Sequence, residues 1–181
     1  STRRDAFQTI NSERIAEITI TKDGLTHNST KSMPQREINS PTPYSTDVKI
    51  AQFIAGPHLY SDMLKSAENN GYSAILIHGT GLGHLPIENS NGDAPENDEL
   101  SKTIIDMSIP VIVANQCIHG PVDLNVYSKG RNQQEMGILG HGSNASPEAL
   151  LVKIHWILSN GLDLDLLSQD LCGENSPILN S

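Results

Sequence analysis

The chain has 181 residues with 12 Lys and Arg against 21 Asp and Glu, a formal net charge of −9; this balance excludes a general polyanion-binding module, which needs a basic face to release counterions from phosphates. The length suffices for one full domain and a remnant of a second, since a domain of about 150 residues already buries roughly 70% of its unfolded surface. No apolar run approaches the ~18 residues of a membrane span, Ser1-Thr2-Arg3-Arg4-Asp5 lacks the apolar stretch of a secretion signal, and Cys117 and Cys172 give no disulfide framework, so a soluble, cytoplasmic protein with free thiols is expected.

In chain order, Arg3 to Ser12 reads as a helix or turn and Ile15 to Thr21 as a strand. Gly24 to Ser45 is polar, contains proline and shows no hydrophobic period, so it reads as a linker without regular structure. The expected organisation is a short first unit over 1–23, a linker over 24–46 and the main domain over 47–181.

Within that domain Val48–Ile54, Ala74–His78 and Val111–Ala114 are short, rich in β-branched residues and bounded by Gly or Pro, which predicts three buried strands. Between the first two, Leu59, Met63, Leu64 and Ala67 recur at helical spacing up to Gly71. Between the second and third, Asp98 to Met107 places Leu100, Ile104 and Ile105 on one helix face before Pro110. A last helix carries its own punctuation: Ser146 as N-cap, Pro147 at the first position, Glu148 in the first turn, then Leu150, Leu151, Ile154, Ile157 and Leu158, with Gly161 as the stop. Leu164 to Cys172 predicts a further short helix ended by Gly173. Strand, helix, strand, helix, strand requires parallel strands joined by right-handed crossovers, so the fold class is α/β, a parallel sheet flanked by helices.

In such a sheet ligands lie beyond the carboxyl ends of the strands. Three loops meet that condition: Ala55-Gly56-Pro57-His58, His78-Gly79-Thr80-Gly81-Leu82-Gly83-His84, and Asn115-Gln116-Cys117-Ile118-His119-Gly120-Pro121. The glycines of the middle loop are spaced G-x-G-x-G with Pro86 close behind, which is not a dinucleotide fingerprint. Cys117 and His119 invite a thiol nucleophile with its base, yet near neighbours on an extended chain do not converge, and a small packed cysteine is the plainer reading. His58, His78, His84, His119 and His141 lack the spacing of a metal site. Asp163, Asp165 and Asp170 read as a solvated face rather than an acid/base pair. Residue chemistry alone thus offers a site-shaped edge without a nucleophile.

Two longer runs are more specific. Gly79-Thr80-Gly81-Leu82-Gly83-His84 followed by Gln116-Cys117-Ile118-His119-Gly120-Pro121-Val122-Asp123-Leu124-Asn125-Val126-Tyr127-Ser128-Lys129-Gly130-Arg131 resembles the C-terminal asparaginase-like domain of the D subunit of archaeal glutamyl-tRNA(Gln) amidotransferase. Pro147 to Ile154 is similar to that family's final helix, and Arg3-Arg4-Asp5-Ala6-Phe7 with Ile10-Asn11-Ser12 to the segment closing its first domain. The resemblance runs from Thr2 to about Gly173.

The resemblance implies an ammonia-supplying glutaminase of asparaginase type, with a threonine nucleophile activated by a second Thr-Asp-Lys group, all upstream of Ser1. It makes 1–23 a remnant of the N-terminal asparaginase domain. It leaves this chain with no catalytic residue, metal ligand or cofactor of its own, and predicts that the chain alone is inactive. It implies a partner, the amidotransferase E subunit, that uses ATP and magnesium and makes most contacts to tRNA(Gln), with the D subunit self-associating as a homodimer within a heterotetramer. Glutamine is the substrate of the complete D subunit. Thr80, Leu82, His84, Asn125 and Tyr127 are then the candidates for substrate contact across a subunit interface. Where many asparaginases carry an Asn in the glycine loop, this chain carries Leu82, whose apolar side chain offers nothing to the substrate amino group. A non-catalytic dimerisation or partner-docking module, and part of a free-standing L-asparaginase, are the alternatives.

Overall fold

The computed structural model describes residues 8–29, 42 and 44–175. The first half of the expected helix or turn at Arg3 to Ser12 lies outside them, as does most of the linker; over Gln8 to Ser12 the chain bends without forming a helix.

The first regular unit is an antiparallel hairpin, β1 (Ala16–Thr21) with β2 (Gly24–Ser29). The first strand matches expectation. The second corrects it, because 24–29 reads as linker from composition yet pairs along its whole length. A two-residue link, Lys22-Asp23, and Gly24 at φ +128° close the turn that pairs Thr21 with Gly24.

The main domain is a three-stranded parallel sheet in the order β3 (Ile50–Ile54), β4 (Ala74–Gly79), β5 (Val111–Asn115). Its crossovers are α1 (Ser61–Asn69) and α2 (Pro95–Asp106). Leu139 adds a rudimentary fourth edge, since Val113 N donates to Leu139 O at 2.9 Å and Leu139 N to Val111 O at 3.0 Å. Between β5 and that edge lies α3 (Ser128–Glu135), a helix that the hydrophobic pattern does not announce. Two crossovers of one hand step along the sheet in one direction and leave both helices on one face. There Leu64, Ala67, Leu100 and Ile104 pack on Ile75, Ile77, Val111 and Val113. The alternate strand residues Ala74, Leu76, Ile112 and Ala114 meet Leu150, Ile154 and Ile157 of α4 (Pro147–Ser159) on the other face. Burial on both faces is why β4 and β5 read as unbroken apolar runs rather than alternating ones, whereas β3 corrects the expectation of a third buried strand: it is the edge of the sheet, with Gln52 and Ile54 exposed.

Three further local expectations need correction. The second crossover helix starts at Pro95, not Asp98, because proline suits a first helical position. Ile105 lies off the core face and is 60% exposed. Thr103 turns inward instead, at i+3 from Leu100, and satisfies its hydroxyl by donating to Glu99 O at 2.8 Å. The segment after Gly161 forms only a 3-10 turn, Leu164–Ser168. It stops there because Lys153 Nζ donates to Leu167 O and Gln169 O, and Asn175 Nδ2 takes the same two carbonyls at 3.1 and 2.9 Å. By contrast α4 matches its punctuation: Ser146 Oγ accepts from Ala149 N at 3.3 Å and Gly161 has φ +61°.

Candidate functional site

The loops beyond β3, β4 and β5 are drawn together by backbone and amide bonds. Ala55 N donates to His78 O at 2.9 Å and Gln116 N to Gly79 O at 2.9 Å. Gln116 Nε2 donates to both Ala55 O and His78 O at 2.8 Å, tying the ends of the first two strands to the third loop. Asn115 Nδ2 closes that loop by donating to Pro121 O at 2.7 Å.

The glycine loop is a tight reversal. Thr80 N donates to His84 O and His84 N to Thr80 O, both at 2.9 Å. The turn requires glycine at Gly79, where a Cβ would lie 2.5 Å from the Gly83 carbonyl carbon, and at Gly83, where φ is +102° and a Cβ would meet Val122 at 2.8 Å. The chain folds back on itself and the next helix begins only at Pro95. The loop therefore does not open directly into a helix N-terminus, as a pyrophosphate seat of the dinucleotide type requires.

The candidate residues fall into two groups. Thr80 is exposed, and its hydroxyl donates to His84 O at 3.2 Å. Leu82 is half-buried and contributes its carbonyl, which accepts from Asp123 N at 3.0 Å. The rings of His84 and Tyr127 meet edge to face with centroids 5.5 Å apart. Asn125 belongs to a second network. Its Oδ1 accepts from Gln134 Nε2 at 3.0 Å, its carbonyl accepts from Arg131 Nη1 at 2.9 Å, and its Nδ2 lies 2.9 Å from His141 Nε2. His141 Nδ1 accepts from Leu124 N at 3.1 Å, which fixes the loop before Asn125. Asn125 and Tyr127 are both exposed.

Electrostatically His84 is the distinctive group. Burial pushes its pKa down, the Lys129 ammonium adds to the effect, and the Glu88 carboxylate opposes it. Lys129 and Glu88 form an ion pair at 3.5 Å. His84 Nε2 and Asn115 Oδ1 are buried without a hydrogen-bond partner among the described residues.

Cys117 is not the small packed cysteine expected, because it lies past the buried end of β5: it and His119 are both exposed on the third loop, and no hydrogen bond joins them. Asp163 and Asp170 are turn caps, accepting from Asp165 N at 2.9 Å and Gly173 N at 2.6 Å. Among the described residues no three His, Cys, Asp or Glu side chains gather as a metal site, and no helix is long and apolar enough to cross a membrane. Sequence reasoning misses the supports of the edge: Gln133, Gln134, Lys129 and His141. The first three sit on α3, which has no apolar stripe to announce it.

Residues 47–169 match the glutaminase/asparaginase C-terminal domain family. The D subunit of glutamyl-tRNA(Gln) amidotransferase from Methanobrevibacter smithii is 30% identical, covering 96% of this chain and 38% of its own length. The corresponding subunit from Methanococcus maripaludis is 33% identical, covering 99% and 42%. The chain thus spans well under half the length of the relatives it matches. The L-asparaginase of Thermococcus kodakarensis superposes with a TM-score of 0.70 at 23% identity, over 94% of this chain and 50% of that one, and so shares the fold. The resemblance carried by the two loop motifs extends over nearly the whole sequence, and the chain belongs to the glutaminase/asparaginase C-terminal domain family.

Proposed function

We propose that the chain is the C-terminal part of the glutamine-hydrolysing, ammonia-supplying subunit of a tRNA-dependent amidotransferase that converts Glu-tRNA(Gln) to Gln-tRNA(Gln). In this reading the Thr80–His84 turn and the Asn125–Tyr127 segment complete the glutamine site of a neighbouring copy in a homodimer. The threonine nucleophile and its Thr-Asp-Lys activators belong to polypeptide outside this chain. The amidotransferase E subunit, with ATP and magnesium, activates the glutamate carboxylate and makes most contacts to tRNA(Gln).

The observation that carries the reading is the near full-length match of this chain to amidotransferase D subunits, in which it covers 38% and 42% of the two relatives named above. Two structural features support it. The strand-end loops carry exposed apolar side chains, Ile118, Val126 and Tyr127, of the kind an interface covers. The β1–β2 hairpin aligns Ile18, Ile20 and Leu25 on one face that is exposed among the described residues, and two strands alone are marginal in water, so an apolar partner surface suits them.

The test compares this chain alone with the same chain joined to its upstream domain. Ammonia release from glutamine is expected from the joined protein and not from the chain alone, and transamidation of Glu-tRNA(Gln) only when the E subunit, ATP and magnesium are added. Ammonia release by the isolated chain above background refutes the placement of catalysis. Binding to the E subunit by a joined protein that never hydrolyses glutamine supports a docking module instead.

A further inference from the structure

We propose that Gln133, in α3, is a positioning residue that sets the direction of the His84 side chain; the inference rests on the reading of the glycine loop as a substrate-facing edge. Gln133 is 0% exposed. Its Oε1 accepts from Leu85 N at 2.9 Å and its Nε2 donates to Gly83 O at 3.0 Å. These are the two peptide groups that flank His84. A primary amide presents a donor and an acceptor side by side in one plane, so it pairs with both peptides as a neighbouring strand would.

The other side of His84 is held too. Its own N–H and C=O are both bonded to the backbone of Thr80 at 2.9 Å. All four backbone hydrogen bonds around one loop residue are therefore fixed, which sets the direction of its Cα–Cβ bond and so limits the rotamers open to the imidazole. A site that only needed filling would favour an apolar side chain, because an amide must first give up water. Gln133 recovers that cost solely through the peptides beside His84.

The same helix fixes the partner ring. At Gly130 a Cβ would lie 2.4 Å from Leu124 O, so α3 sits directly on the 122–127 loop. Arg131 and Gln134 bond Asn125, and Tyr127 occupies the extended position just before the first turn of the helix. α3 thus holds His84 through Gln133 and Tyr127 through its own N-terminus, and the 5.5 Å ring contact follows from both. A ligand-binding group held by locked supporting residues binds better than one left to find its rotamer.

The experiment uses the complete glutamine-hydrolysing protein and the variants Gln133→Met, His84→Ala and their combination, assayed for glutamine hydrolysis. Gln133→Met is expected to raise KM about ten-fold with kcat within about two-fold, as loss of orientation in a binding contact does. The double variant should be no worse than His84→Ala alone, since Gln133 acts through His84. If His84→Ala leaves KM unchanged, the substrate-edge reading fails and the inference with it. If His84→Ala raises KM while Gln133→Met does not, or the two effects multiply, only the inference fails. Two measurements do not depend on catalysis. In the unmutated protein the Leu85 amide should exchange with solvent as slowly as the β4 amides, and an exchange rate typical of an open loop overturns the clamp. In Gln133→Met the His84 ring signals should lose the shift imposed by Tyr127, and unaltered signals overturn it as well.

Discussion

Glutamate to glutamine at position 174 tests the buried ion pair that holds the end of the described chain. Glu174 Oε1 lies 2.7 Å from Lys153 Nζ, with the side chains 8% and 5% exposed. Burial by itself raises the carboxyl pKa, but the Lys153 ammonium and the Cys172 thiol and backbone N–H outweigh it and lower the value from 4.5 to about 2. Each tenfold change in proton affinity is worth ~1.4 kcal/mol, so the native state gains about 3 kcal/mol from the ionised form. The folded pKa is depressed, so this stabilisation is present above pH 4.5 and is lost as pH falls toward 2. By pH 3 roughly 60% of it should be gone. Urea unfolding of both proteins at pH 7 and pH 3 reads it directly. At pH 7 Glu174→Gln should be less stable by about 3 kcal/mol, equivalent to roughly 6–12 °C in Tm for a domain of this size. At pH 3 the gap should shrink to about 1 kcal/mol. A gap of equal size at both pH values refutes the assignment of the lowered pKa to this pair.

Gly140 has φ +112° and its Cβ would fall 2.3 Å from the Val113 carbonyl oxygen inside the sheet. Gly140→Ala should therefore cost more than about 2 kcal/mol by urea unfolding, from the backbone conformation and the clash together; a loss under about 0.5 kcal/mol would show that the turn after Leu139 relaxes freely. His84 should titrate below the ordinary imidazole value of 6.5, since burial and then Lys129 favour its neutral form. Its contribution to stability is present above pH 6.5 and declines as pH falls below that value. Lys129→Met should move the NMR-monitored pKa part of the way back up, and a wild-type value at or above 6.5 contradicts the burial of the ring.

The parts of the fold that hydrophobic pattern dictates are legible in the sequence. β4 and β5 are compact buried runs, β3 is a short edge strand interrupted by Gln52, and α4 declares both ends through Ser146, Pro147 and Gly161. What escapes is held by other means. α3 buries only Gly130 and Gln133 and makes its contacts through amides and a guanidinium, so a search for apolar period finds nothing there. β2 is exposed along its whole length and owes its existence to pairing across the Lys22-Asp23 turn; the Asp-Gly dipeptide at 23–24 is the available signal. The site divides in the same way. The glycine loop and the Asn125–Tyr127 segment stand out by composition, whereas His141 and Gln133 act through bonds to backbone that sequence spacing does not reveal.

The geometry of the edge also says which kind of contribution it is built to make. Thr80 Oγ1 donates to a backbone carbonyl at 3.2 Å, and a peptide oxygen orients a hydroxyl without removing its proton. The neighbouring imidazole, His84, has its backbone locked but a ring nitrogen that is buried and unpartnered, so it does not form the hydroxyl–base pair that would activate a threonine. An activated nucleophile needs a base within reach, whereas a binding edge needs rigid backbone, an oriented ring and little charge. The described residues supply the rigid backbone and the oriented ring, with the Lys129–Glu88 ion pair close by, and this suits the binding role proposed for the edge. On the proposed function, glutamine hydrolysis by the complete protein should therefore register damage to this edge in KM before kcat, because the groups that change charge during the reaction belong to the polypeptide that carries the threonine nucleophile.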